Sequence, residues 1–220
     1  MSMSLLTSTL WQGLLWGILA LGVFLTYRVL DVADLTVEGS YPLGAAVGVS
    51  YIAGGGSPVM AVVLAFLAGS VAGVVTGLLH TKLKIPALLA GILTMIGLYS
   101  INIRVMGDKS NVSILRMDTI YTFFENFGLG KNESILVCGL IFVVTLIVFL
   151  YWFFGTEIGA AIRATGCNKQ MIRAQGVDTD ITIILGLLIS NGMVAMAGAL
   201  IGQSQGFADV GMGTGTIVIG

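Results

Sequence analysis

SILVCGLIFVVTLIVFLYWFF (residues 134–154), GTEIGAAIRATGCNKQMIRAQGVDTD (155–180) and ITIILGLLISNGMVAMAGALI (181–201) follow one another without a break. The first and third are each long and apolar enough to cross a bilayer, which takes about 20 residues of helix. The insert between them, Gly155–Asp180, is polar and amphipathic. Ile158, Ala161, Ile162 and Thr165 recur at i, i+3, i+4, i+7, the spacing of one helix face. Gly166 is expected to stop that helix in the left-handed conformation favoured at a C-terminus. Asn168 is placed to cap a second short helix, Lys169–Gln175, which Gly176 ends. Asp178 can cap the next membrane helix. Arg163, Lys169 and Arg173 make the insert basic. A membrane chain has little structural need for a two-helix surface module, so this stretch reads as a docking surface for a soluble partner.

Composition agrees on the class. Of 220 residues, 56% are hydrophobic and only 10% charged, and the mean hydropathy is +1.00, far from a soluble domain. Thirty-one glycines against three prolines suit membrane helices whose backbones pack closely. A formal net charge of −1 gives no reason to expect nucleic acid as a partner. With one histidine (His80) and two cysteines (Cys138, Cys167), neither a protein-ligated metal site nor a disulfide is expected.

Besides Ser134–Phe154 and Ile181–Ile201, three further stretches qualify as spans: Leu5–Tyr27, Pro58–Leu79 and Ile85–Ile103. The first lacks a basic n-region and is too long for a signal-peptide core. Tyr41–Ala53 is shorter, holds glycine and follows the polar stretch Asp31–Ser40. It reads as a discontinuous second membrane segment, since irregular backbone at membrane depth needs cover from protein or a watery cavity. The chain thus reads as an all-α integral membrane protein, a multi-helix bundle forming one transmembrane domain over residues 1–220. TIVIG (216–220) opens a new apolar run, so further C-terminal helices are expected. Short basic loops mark the cytoplasmic side. His80–Lys84 and Gly155–Asp180 are both basic and separated by one helix pair, so both are placed inside. The Arg104–Glu133 connection, with Tyr121, Phe123, Phe124 and Phe127, is then external, as is the N-terminus if Tyr41–Ala53 counts as a crossing.

Ionisable groups at membrane depth usually face a cavity or a partner. Asp34, Thr36, Glu38 and Ser40 are therefore candidates for a solute path; the alternative is a solvated loop with Asp31 paired to Arg28. Asn191, mid-helix beside Ser190, is suited either to a permeating solute or to hydrogen bonding between helices. Gln203, Gln205 and Asp209 fit an outer vestibule or a polar turn equally well, and Gln12 has the same ambiguity. No catalytic constellation is found, and Gly54–Gly56 precede Ser-Pro, a turn rather than a phosphate-binding loop. Any ATP used must be bound by another subunit.

The insert resembles the cytoplasmic coupling segment of permease subunits of ATP-binding-cassette importers, in the branched-chain amino acid and ribose group. The family pattern is met by Gly159, Arg163, Ala164, Gly166, Asn168, Ala174 and Gly176. RVLDVADLTVEGSYPLGAAV (28–47) is similar to a second family region, in which a polar stretch leads into a broken helix, and NGMVAMAGALIGQSQGFADVGMGTG (191–215) to a third. The likeness is nearest to permeases paired with tryptophan/tyrosine-type binding lipoproteins. It implies a multi-pass, homodimeric permease of the bacterial plasma membrane, embedded in lipid and not itself an enzyme. It further implies two cytoplasmic ATPase subunits holding ATP and Mg, docked on the seven coupling residues, and an external solute-binding lipoprotein delivering an aromatic or other hydrophobic amino acid. An ion-coupled secondary transporter is the alternative, though it would need no two-helix docking loop. A small intramembrane enzyme is a weaker rival, lacking any acid/base pair.

Overall fold

A computed structural model describes residues 3–115, 117–125, 128 and 130–219. In chain order the elements are α1 (Met3–Phe24), a π-helical turn (Leu25–Val29), α2 (Val37–Ala53), α3 (Pro58–Thr81), α4 (Ala87–Val105), β1 (Asn111–Ser113), α5 (Thr122–Glu125), α6 (Lys131–Gly155), α7 (Glu157–Cys167), α8 (Lys169–Ala174), α9 (Thr179–Gln205), β2 (Phe207–Asp209), a 3-10 turn (Val210–Gly213) and α10 (Thr216–Ile219). The chain is an all-α membrane protein. Among the described residues, α1 with its π turn, α3, α4, α6 and α9 are long and apolar enough to span a bilayer. The sequence placed all five, each to within a few residues.

Helix α9 is the axis of the bundle. Its most apolar window is 83% buried within the protein, against 28% for α4 and 33% for α6, which face outward. Glycine lets α2 and α3 reach it backbone to backbone. A Cβ at Gly44 would strike the Ala195 carbonyl, and one at Gly69 or Gly73 would strike the Asn191 or Leu187 carbonyl. Gly198 of α9 likewise lies on the Tyr41 carbonyl of α2. This is the small-residue packing of membrane helices, where close van der Waals contact replaces a hydrophobic drive. On the other side, Leu15, Ile18 and Leu19 of α1 pack with Ile135 and Cys138 of α6. Trp16 stacks on Tyr41 with ring centroids 5.7 Å apart, joining α1 to α2.

The discontinuous segment is shorter than the sequence suggested. Helix α2 starts at Val37 rather than Tyr41, so Glu38 and Ser40 are helical, and the interruption is confined to residues 30–36. There the π turn ends with Leu30 N–H bonded to the Leu25 carbonyl (3.0 Å) and Val32 N–H to the Thr26 carbonyl (3.0 Å). Asp31 takes a left-handed φ of 53° and is exposed. It does not pair with Arg28; the ion pairs among the described residues are Lys82–Asp180 and Arg173–Asp180.

Those two pairs fix the bundle's polarity. Lys82 Nζ and Arg173 Nη2 lie 3.6 and 2.7 Å from the Asp180 carboxylate, so the two basic loops share one end of the bundle. At the other end β1 pairs antiparallel with β2, Val112 opposite Ala208. This strand pair, absent from the sequence reading, ties the connection after α4 to the end of α9. Tyr121 adds an O–H donated to the Leu200 carbonyl at 2.8 Å. Phe127 lies outside the described residues. Cys138 is buried and Cys167 exposed, both free.

Cys167 is thus a native topological probe. In intact cells a membrane-impermeant maleimide should label Ser110→Cys beside β1 and leave Cys167 unlabelled until the membrane is opened. Labelling of Cys167 from outside would invert the orientation read from the basic loops.

Candidate functional site

The interruption between the π turn and α2 strands backbone groups at mid-bundle, and polar side chains collect there to satisfy them. Asp34 is 1% exposed. Its Oδ1 accepts the Thr36 N–H at 2.9 Å, and its Oδ2 accepts from Asn191 Nδ2 at 2.7 Å. Asn191 Oδ1 accepts from the Ser40 hydroxyl at 2.6 Å, and its Nδ2 donates also to the Leu187 carbonyl at 3.1 Å. Asn191 has no exposed surface. A hydroxyl ladder extends the node outward: Thr36 meets Thr76 at 2.7 Å, and Thr76 donates to Thr94 at 2.9 Å, linking the start of α2 to α3 and α4. Ser190 donates to the Gly22 carbonyl at 2.7 Å and ties α1 to the same level. The two threonines and Gly22 escaped the sequence reading, because a lone hydroxyl or glycine in an apolar run carries no local signal.

Of the six residues proposed for a solute path, Asp34, Thr36, Ser40 and Asn191 therefore come together as one sealed, mutually bonded node. Glu38 and Gln203 lie elsewhere. Glu38 is half-buried, one oxygen accepting the Gly215 N–H at 3.2 Å. Gln203 sits toward the strand-bearing end, accepting the Ile120 N–H at 3.0 Å and donating to the Pro58 carbonyl at 3.4 Å. Among the described residues no group of three or more His, Cys, Asp or Glu is gathered as a metal would need.

The basic insert folds as two helices. Thr156 caps α7 by accepting the Gly159 N–H at 3.3 Å, Asn168 caps α8 by accepting the Met171 N–H at 3.0 Å, and Asp178 caps α9 by accepting the Asp180 N–H at 2.9 Å. Gly176, at φ 87°, is the left-handed stop after α8. Gly166 is not one: α7 runs through it to Cys167, and Asn168 ends the helix with an extended φ of −158°. The requirement at Gly166 is space, since a Cβ there would strike the Val29 carbonyl at the end of the π turn. The buried stripe of α7 is also rotated from the one expected. Gly159, Ile162 and Thr165 face inward, while Ile158 is 54% exposed. Ile162 packs with Leu30, Val32, Ile183 and Leu187, and Thr165 meets Thr182 hydroxyl to hydroxyl at 2.9 Å. Ala164 and Ala174 complete the two helices. The outward face carries Ile158, Lys169, Met171 and Arg163, whose guanidinium lies 6.0 Å from the Phe154 ring centroid.

Two features thus meet: an amphipathic, basic two-helix module, and a broken helix whose polar node lies directly beyond it. Val29 and Leu30 touch the module, and Asp34 a few residues later is bound to α9.

Known proteins resemble this chain along nearly its whole length. Residues 5–220 match the family model described as "Branched-chain amino acid transport system / permease component". A tyrosine transport system permease protein of Clostridioides difficile is 42% identical over 218 residues, 99% of this chain and 71% of that protein. An uncharacterized protein of Rickettsia prowazekii is 36% identical over 218 residues, 99% of this chain and 75% of its own. An autoinducer 2 import system permease protein of Salmonella typhimurium is 31% identical over 175 residues, 76% of this chain and 46% of that protein. No solved structure matches.

Removing the node's central amide should cost stability. Asn191→Ala leaves the Asp34 carboxylate and the Ser40 hydroxyl buried without that partner, a loss of about 1–3 kcal/mol for such groups. The expected result is a lowered melting temperature of the purified permease in detergent, whereas Gln12→Ala on the exposed side of α1 should leave it unchanged.

Proposed function

We propose that this chain, which belongs to the permease-component family of branched-chain amino acid transport systems, is the membrane-spanning subunit of an importer driven by ATP on separate subunits. Two copies form the permease, cytoplasmic ATPase subunits hold ATP and Mg, and an external solute-binding lipoprotein delivers the solute. An aromatic or other hydrophobic amino acid is the proposed cargo, in keeping with the tyrosine transport named for one relative. The ATPase is proposed to grip the α7–α8 module, in which Gly159, Arg163, Ala164, Gly166, Asn168, Ala174 and Gly176 either shape the turns or carry the exposed face.

One observation carries the reading. The module presents exposed Ile158, Met171 and Lys169 outward, while its inner face is seated through Gly166 on the Val29 carbonyl and through Ile162 on Leu30. A surface of that kind suits a soluble partner, and its seat suits the passing of a displacement into the bundle. The partner shifts the permease between states only by binding them with different affinity, and a displaced α7 changes the contact with the π turn.

The same seat gives the test. Gly166→Val should force α7 off the Val29 carbonyl. Reconstituted with its ATPase and binding protein, the variant should still assemble in the membrane yet lose most solute-stimulated ATP hydrolysis and uptake. Normal stimulated uptake by Gly166→Val would remove the coupling role assigned to this contact. A wild-type complex that takes up amino acids without ATP would remove the importer reading itself.

A further inference from the structure

Two carboxylates lie at the mid-depth of the bundle, and they are treated differently. Asn191 is midway along α9, Ser40 is bonded to it, and Glu38 precedes Ser40 by less than one helical turn. Asp34 is enclosed in the node. Glu38 instead lines a cleft of about 350 Å³ between α2, α4 and the 3-10 turn after β2. A carboxylate at this depth is costly against hydrocarbon, so this face of α2 needs water or a complementary charge before it.

Asn102 of α4 lines the same cleft. It is 1% exposed, its Nδ2 donates to the Gly39 carbonyl at 3.4 Å, and its Oδ1 has no hydrogen-bond partner. A buried amide oxygen left without a donor calls for one. The cleft therefore carries the Glu38 carboxylate, and its wall holds a buried amide oxygen that lacks a donor. Pro42, Met95 and Ile96 supply apolar wall, and Tyr99 and Ser100 carry hydroxyls. The Gly215 N–H holds one Glu38 oxygen at 3.2 Å, so the carboxylate is already oriented. A bare divalent ion is a poor match, since calcium takes about six to eight oxygens and among the described residues no acidic cluster supplies them. An ammonium group, with three directed N–H bonds, fits a carboxylate plus one amide oxygen.

We propose that this cleft is the permease's solute subsite, binding an apolar amino acid with its ammonium group on Glu38 and Asn102 and its side chain against Pro42, Met95 and Ile96. The Ser100 and Tyr99 hydroxyls donate to the substrate carboxylate. The assignment rests on the importer reading above and moves the solute path off the Asp34–Asn191 node, whose groups are spent on one another.

The test uses Ser100→Cys in the assembled transporter, with Cys167→Ser and Cys138→Ala removing the native thiols. Two methanethiosulfonate reagents, one carrying an ammonium and one a sulfonate, are compared in rate after correction for their reactivity with free thiol. The cationic reagent should react about tenfold faster, by attraction to Glu38, and Glu38→Gln should bring the ratio close to one. Millimolar L-leucine or L-phenylalanine should slow the labelling, and the corresponding deaminated acids should not. A ratio near one with Glu38 in place, equal protection by the deaminated acids, or no protection by either amino acid would overturn the subsite. Tyr99→Cys carries the same readout should Ser100→Cys assemble poorly, and failure to label at both positions also rejects the cleft. ATP-driven uptake by the unaltered complex is measured alongside. Its presence with failed labelling removes the subsite alone, and its absence removes the importer reading.

Discussion

The fold depends on what Asn191 does for Asp34. A helix broken at mid-bundle exposes peptide groups that water cannot reach, and those groups must find protein partners. The Asp34 carboxylate takes the Thr36 N–H that α2 would otherwise leave open, and the Asn191 amide secures the carboxylate in turn. The amide oxygen then closes on Ser40, one turn into α2. The break and the first turn of α2 are therefore both fastened to the middle of α9. The close approach of α2 and α3 to α9 at Gly44, Gly69 and Gly198 encloses that polar node, and a low-dielectric surrounding strengthens every bond within it.

The π turn gives this node a neighbour. Val29 sits against Gly166 and Leu30 packs on Ile162, so the segment that reaches Asp34 begins under the basic two-helix module. A rigid, close-packed contact transmits displacement rather than absorbing it. Glycine at 166 makes the contact backbone to backbone, which leaves no side-chain rotamer to soften it. The wider turn, with Val32 N–H reaching back to Thr26, is the kind of local helix irregularity often found at functional positions.

Much of this was legible in the sequence because its signals are local. Apolar length gave the five spans, and Asn168, Asp178 and Gly176 gave the ends of α8 and α9 through capping chemistry. The polar run 31–40 gave the existence of the break. Its extent was not legible: Val37–Ser40 look polar and loop-like, yet they are helical because α9, α3 and α4 supply partners that the segment lacks by itself. Gly166 misled for a related reason. A glycine near a helix end suggests a left-handed cap, whereas here the constraint is a carbonyl more than a hundred positions earlier in the chain. The β1–β2 pair joins Asn111 to Asp209, 98 positions apart, and neither triplet has the length or alternation that announces a strand. The expected site residues were found by residue type alone, which could not separate a buried node from an open cleft.

That separation turns on hydrogen-bond capacity rather than on charge. Asp34 and Glu38 stand four residues apart with the same functional group at nearly the same depth. Asp34 is met by the Thr36 N–H and the Asn191 amide, and Asn191, Ser40 and Thr36 are each bonded to protein in turn. A solute reaching that node would have to break bonds it cannot replace better than the protein already does. Glu38 has a backbone N–H from Gly215 on one oxygen, and Asn102 in the same cleft wall has an amide oxygen without a donor. Binding there adds bonds instead of exchanging them. A permease needs its solute held weakly enough to leave, and one carboxylate with one amide oxygen offers a hold of that modest kind, while the node beside it preserves the broken helix that brings Glu38 to mid-depth.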